Sequence, residues 1–229
     1  MACENLNFHN TFGVNTSGMG TEMDVPPKRV LLVGFVLFLG LGGVSLYLYL
    51  PKVEVSDTVS ITNGRVIIGL IADTHVPDRA DGVPRRVFDI FNHVNVDYIL
   101  HAGDITSQRV IDHLEAVAPV IACAGNHDNG QLRERYPEVN SVEVIGWRIG
   151  VWHNTHLFFR KQRAVDLAHK RGFDILVVGH IHKQEKIEEQ GVLIVNPGSP
   201  VQPLPPLLVK ATVAILTIEE SYEVEFVKV

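Results

Sequence analysis

Cysteine is nearly absent from the 229-residue chain: Cys3 lies in a polar opening stretch and Cys123 inside an apolar run. Two such thiols do not staple a domain, and the lack of any Cys-x-x-Cys spacing removes zinc-ribbon and thioredoxin-like readings. An excess of positive charge is also missing, with 20 Lys and Arg against 26 Asp and Glu and a net charge of −6. That balance, without clusters of basic and aromatic residues, speaks against a nucleic-acid partner. There is no internal repeat. Histidine, by contrast, is abundant: ten of the 11 follow residue 74, a first compositional hint of a metal site.

The length suits one good-sized domain plus an appendage. Residues 1–29, rich in Asn, Thr, Gly and Ser, read as a disordered polar tail. Residues 30–50 (VLLVGFVLFLGLGGVSLYLYL) carry no charge. At ~1.5 Å per residue this run matches a bilayer core of ~30 Å, which predicts a single-pass transmembrane anchor. Lys28-Arg29 precede it, Pro51-Lys52 follow it, and Tyr47 and Tyr49 fall where an interfacial aromatic belt belongs. Basic residues within twenty positions tie across the run (Lys28 and Arg29 against Lys52 and Arg65), so the side on which the following domain lies stays open. The tighter Lys-Arg pair mildly favours a cytoplasmic N-terminus. A misassigned start would instead make the domain cytoplasmic, although Met1, Met19 and Met23 all precede the apolar run. Residues 51–64 read as a linker and 65–229 as the main domain.

From Arg65 onward strand-like and helix-like patterns alternate, the mark of an α/β or layered α+β domain. Strands are predicted at 66–72, 98–102, 120–124, 141–144, 147–152, 175–178, 192–195, 212–218 and 222–227. Helices are predicted at 84–94, 110–117 and 164–170. Val87, Ile90, Phe91 and Val94 share one helical face. The first strands, joined through helices, predict parallel pairing, and the later hairpins predict a mixed arrangement. Together they give two mixed sheets packed face to face with outer helices. Leu204-Pro205-Pro206 marks a rigid surface loop.

Five strands end in polar clusters: Asp73-Thr74-His75, His101-Ala102-Gly103-Asp104, Gly125-Asn126-His127-Asp128, His153-Asn154-Thr155-His156 and Gly179-His180-Ile181-His182. Each alone could be a polar turn or a helix cap. Ligands gather at strand ends in α/β proteins, and five clusters of Asp, His and Asn point to one site. A mixed carboxylate, imidazole and amide set suits a pair of divalent first-row metals, unlike a closed thiolate zinc site or an all-oxygen calcium site. Two such ions ~3.5–4 Å apart, bridged by a carboxylate and a hydroxide, suit in-line displacement at phosphorus.

The order D-x-H, G-D, G-N-H-D, H, G-H-x-H, with Asn196-Pro197-Gly198-Ser199 near the end, resembles the calcineurin-like metallophosphoesterases. The compact bacterial and archaeal phosphodiesterase branch is the most similar, over about residues 65–229. The resemblance implies a phosphate-ester hydrolase, most simply a phosphodiesterase, acting on a small substrate through a metal-bridging hydroxide. It implies that Asp73, His75 and His182 hold the first metal, that Asp104 bridges, and that Asn126, His153 and His180 hold the second. His127 is then the catalytic acid beside the metals, oriented by a neighbouring carboxylate. Manganese is the first choice by ligand type, with iron, nickel or zinc as alternatives. One departure stands out: Asn154 follows His153 where the family has glycine. His156 reads as a loop histidine, and His93, His113 and His169 as surface residues on helices. Arg79 is a candidate for contact with the phosphate. The alternative function is a non-catalytic scaffold like the small retromer subunit, which shares the fold; the full ligand set and His127 argue against it.

Overall fold

The alternation of apolar residues along each strand sends one set of side chains to each face of a sheet, and here both faces are covered. The computed structural model describes residues 64–154, 160–204 and 208–229. The predicted tail and anchor, all of the linker but Gly64, His156 and Pro205-Pro206 lie outside them. Among the described residues no helix is long and apolar enough to cross a membrane.

The described elements run β1 (Val66–Ile71), α1 (Arg85–Val94), β2 (Tyr98–His101), α2 (Gln108–Glu115), β3 (Val120–Ala122), α3 (Gly130–Arg135), β4 (Val139–Val144), β5 (Trp147–Trp152), α4 (Arg160–Arg171), β6 (Ile175–Val178), β7 (Gln184–Glu189), β8 (Val192–Pro197), β9 (Thr212–Ile218) and β10 (Tyr222–Lys228). One five-stranded sheet has the order β10-β9-β1-β2-β3 and the other β4-β5-β6-β8-β7. In the first, β1, β2 and β3 are parallel, while β9 is antiparallel to both β1 and β10. In the second, β5, β6 and β8 are parallel and flanked by antiparallel β4 and β7.

Ile68 and Leu70 from β1, Leu100 from β2, Val151 from β5, Val177 from β6 and Leu216 from β9 share one core between the two sheets. Their strand neighbours point the other way. Ile71 and Ile99 meet Phe91 of α1 and Leu114 of α2, while Leu176 and Val178 meet Val165 and Ala168 of α4. The result is a helix–sheet–sheet–helix stack, with both sheets mixed as the pattern predicts. Gly69 leaves room for the Phe91 ring, which would lie 2.9 Å from a Cβ at that position. Such ring-on-backbone packing seats α1 on the sheet.

Two elements have no apolar signal in the sequence. In β7, QEKIEE, a single apolar residue stands among charges. The strand forms because six backbone pairs join it to β8 through the Gln190-Gly191 turn, where both residues have positive φ. Charge along an exposed edge also discourages pairing with other chains. The six-residue α3 buries only Leu132. It is nucleated by the side chain of Asn129, whose oxygen accepts the Leu132 N–H at 3.0 Å.

Candidate metal centre

Parallel pairing puts the carboxyl ends of β1, β2 and β3 along one sheet edge, and those of β5 and β6 along an edge of the other. The loops that leave these ends meet. Asp73 and His75 follow β1, Asp104 follows β2, Asn126 and His127 follow β3, His153 follows β5, and His180 and His182 follow β6. The chain must turn back sharply at each end for the side chains to face one point. Asp73, His75, Asp104, His180 and His182 accordingly adopt positive φ, from 44° to 81°. Asp and His tolerate the left-handed region better than most residues, so the types that bind cations also suit the backbone. Such conformations cost about 1–3 kcal/mol each and persist where the surroundings impose them.

The donor atoms fall into two groups that share one residue. Those of Asp73, His75, Asp104 and His182 lie within 4.8 Å of one another, as do those of Asp104, His153 and His180. Asn126 joins the second group, its Oδ1 2.9 Å from His153 Nε2 and 3.0 Å from His180 Nδ1. The outer nitrogens fix the tautomers. His182 Nδ1 lies 2.6 Å from the Gln202 carbonyl and His153 Nδ1 2.8 Å from the Ala102 carbonyl. A carbonyl only accepts, so each Nδ1 carries a proton and each Nε2 is turned inward, toward the other donor atoms. His182 Nε2 then faces His75 Nε2 at 3.1 Å, and His153 Nε2 faces the Asn126 oxygen.

Among the described residues Asp104 Oδ2 has no hydrogen-bond donor, although it is buried. It lies 3.5 Å from His75 Nε2 in one group and 3.3 Å from His153 Nε2 in the other. Converging acceptors around an orphaned carboxylate oxygen are what a pair of divalent cations satisfies, and the donor set fits them.

Burial sets the protonation states. It pushes the Asp73 carboxyl up to about 7 and the His75 imidazole down to about 4. It also lowers His180 and His182, keeping these imidazoles neutral and able to donate a lone pair. On Asp104 burial works upward, but the contact with His153 and its charge hold the carboxyl below the usual range. His153 is raised in turn: burial opposes its charge, and the nearby carboxylates of Asp104 and Asp73 overcome it. Because Asp73 is protonated below about 7 and binds a cation only as carboxylate, metal loading at pH 6 releases protons and affinity rises with pH. Titration calorimetry in buffers of different ionisation enthalpy measures this release; binding at pH 6 without proton exchange would contradict it.

The surrounding residues brace the donors. The His180 N–H donates to both Asp73 oxygens at 3.0 Å, and the Ser199 hydroxyl donates to the Asp73 carbonyl at 2.8 Å. Ser199 and Asn196, from the Asn-Pro-Gly-Ser turn, tie that turn to the ends of β1 and β6: Asn196 Nδ2 donates to the Gly179 carbonyl at 3.0 Å. A Cβ on Gly125 would collide with the backbone nitrogen and Oδ1 of Asp104, and one on Gly103 would lie 2.7 Å from the His153 side chain. Asn154 in place of glycine leaves His153 in the donor group. His101, fully buried, stays outside the groups and lies 3.1 Å from the Thr74 hydroxyl. His93, His113 and His169 are exposed, as expected.

His127 differs from the expectation in one respect. Its ring is exposed and meets His75 edge to face, with centroids 5.1 Å apart. The adjacent carboxylate, Asp128, does not orient it. Asp128 Oδ2 accepts the Gly125 N–H at 2.6 Å and Oδ1 the Thr106 N–H at 2.7 Å. Two backbone donors claim the carboxylate and tie the loop after β3 to the loop after β2.

Residues 66–221 match the calcineurin-like phosphoesterase superfamily domain. The chain belongs to that family. A probable metallophosphoesterase of Methanocaldococcus jannaschii is 35% identical over 181 residues, covering 78% of this chain and 90% of that protein. A phosphodiesterase of the same organism is 34% identical over 141 residues, covering 57% of this chain and 82% of the relative. Among solved structures, Vps29 of Entamoeba histolytica shares the fold at a TM-score of 0.59 and 24% identity, over 72% of this chain and 99% of that one. An archaeal phosphodiesterase reaches a TM-score of 0.56 at 29% identity, over 71% of this chain and all of that one.

Proposed function

We propose that this member of the calcineurin-like family is a binuclear metal-dependent phosphodiesterase acting on a small phosphate diester. The observation that carries the reading is the position of Asp104 Oδ2, buried, without a donor and shared by two donor groups. Asp73, His75 and His182 would hold one cation, Asn126, His153 and His180 the other, and Asp104 both. When bound, the cations, manganese first by ligand type, would lower the pKa of water and offset the phosphoryl charge.

The protein's own groups set the rest. His127 would hydrogen-bond a phosphoryl oxygen or protonate the departing alkoxide, a role supported by its exposed ring beside His75. Arg79 stands nearby, its backbone N–H bonded to the His75 carbonyl at 2.8 Å and its guanidinium to Gln202 Oε1 at 2.6 Å, where it can also meet the phosphate. Covalent catalysis has no support in the site. The Ser199 hydroxyl is hydrogen-bonded to backbone, and burial pushes the Cys123 thiol well above its usual range. The phosphodiesterase relative supports the choice of a diester.

A screen of the metal-loaded chain against phosphate mono- and diesters tests the reading. Turnover of diesters with two cations per chain is the expected result. Two bound cations without turnover of any ester would favour a scaffold.

Membrane attachment is a separate proposal, supported by the uncharged run at 30–50 and its flanks. The full-length protein should sediment with membranes on fractionation. Recovery in the soluble fraction would overturn the anchor.

A further inference from the structure

The loop that carries His127 is gripped by a residue outside the motif. Arg133, on α3, reaches back along the chain: its Nη2 donates to the Asn126 carbonyl at 2.5 Å and its Nε to the Asp128 carbonyl at 2.8 Å. One planar guanidinium therefore spans the carbonyls of the two residues that flank His127. From the opposite direction the His127 N–H donates to Asp104 Oδ1 at 2.7 Å. Asp128, which could have oriented the imidazole, is occupied by the Gly125 and Thr106 N–H groups. The backbone of His127 is thus held on both sides while its ring stays exposed.

The helix brings Arg133 within reach of the loop. Its cap, Asn129, comes directly after Asp128, and the Arg133 N–H bonds to the Asn129 carbonyl at 3.0 Å, so Arg133 lies one turn beyond the loop it holds. An exposed arginine loses rotamer entropy when fixed, and two charge-assisted bonds to carbonyls offset that loss. Lysine would substitute only in part, because its ammonium is a point charge that does not match two acceptors in a fixed fork. The grip also turns two carbonyl dipoles toward a cation.

We propose that Arg133 is the positioning residue for His127, fixing the direction from which the imidazole meets the leaving group. The proposal rests on His127 acting as the acid. It concerns placement alone, so Arg133 touches neither cation nor substrate. Misplacing a catalytic group by about 1 Å can cost on the order of a hundredfold in rate.

The test is a double-mutant cycle on the metal-loaded full chain. It compares Arg133→Ala, Arg133→Lys, His127→Ala and the double variant on an alkyl diester and a nitrophenyl diester. Arg133→Ala should keep two cations per chain and an unchanged melting temperature. It should lower kcat on the alkyl diester by about ten- to hundredfold with little change in KM, and less on the nitrophenyl ester. In the His127→Ala background the same substitution should cost nothing further. Arg133→Lys should recover only part of the loss. Independently of turnover, amide hydrogen exchange at His127 should speed up in metal-free Arg133→Ala. A loss of the same size with and without His127, or a loss of bound cations, would overturn the proposal, the latter by showing that Arg133 acts through Asn126. If His127→Ala alone leaves turnover unchanged, the acid reading fails and the proposal with it, whatever the exchange rates show.

Discussion

Asp104→Ala should leave the protein unable to hold two cations together. The carboxylate belongs to both donor groups, and its Oδ2 lies 3.5 Å from His75 Nε2 and 3.3 Å from His153 Nε2. Without it, two like charges would approach each other with no anion between them. Elemental analysis should show one cation per chain or fewer. Diester turnover should fall by about a thousandfold or more, the scale of losing one preorganised charge-stabilising group. Asp104→Asn separates charge from shape, since the amide keeps the volume and an oxygen that can accept the His127 N–H. It should bind cations nearly as poorly as the alanine variant while melting closer to the wild type. Two cations per chain in either variant would mean that Asp104 is not the bridge.

The second large effect is expected at His127. His127→Ala removes an exposed ring that meets the site only edge to face at His75, so both cations and thermal stability should be retained. The kcat on diesters with poor leaving groups should drop by at least about a hundredfold, within the 10²–10⁴ range of positioned acids, with KM little changed. The loss should shrink for nitrophenyl esters, whose leaving groups depart without a proton. A structural role would look different, because metal content, melting temperature and rate would fall together. Wild-type rates on poor-leaving-group diesters would remove His127 from the mechanism.

The two predictions are linked through one hydrogen bond, from the His127 N–H to Asp104 Oδ1 at 2.7 Å. The shared carboxylate thus presents one oxygen to the donor groups and the other to the backbone of His127. Loss of Asp104 therefore loosens His127 as well, so the Asp104→Ala effect on rate should exceed that of His127→Ala.

Much of the site is legible in the chain because its grammar is local. An apolar run followed by Asp, His or Asn names both a strand end and a candidate donor, and Asp73, Asp104, Asn126, His153 and His180 are each marked in this way. The layered architecture follows for the same reason: alternation along β1 and β6 already divides inward from outward side chains. Local pattern fails where an element carries no apolar stripe. The strand β7 is held by pairing with β8 and α3 by a single cap, and neither leaves a periodic trace. Only the tertiary structure decided which way each donor faces. Asp73 is fixed by the N–H of His180, 107 positions away, and His153 by the carbonyl of Ala102, 51 positions away. It also gave Asp128 to two backbone amides instead of the His127 ring, and Arg133 to the carbonyls on either side of that ring. Sequence determines which groups can bind a cation or move a proton, since that is covalent chemistry. Where their lone pairs point depends on backbone turns and hydrogen bonds between distant segments, which exist only once the two sheets have packed.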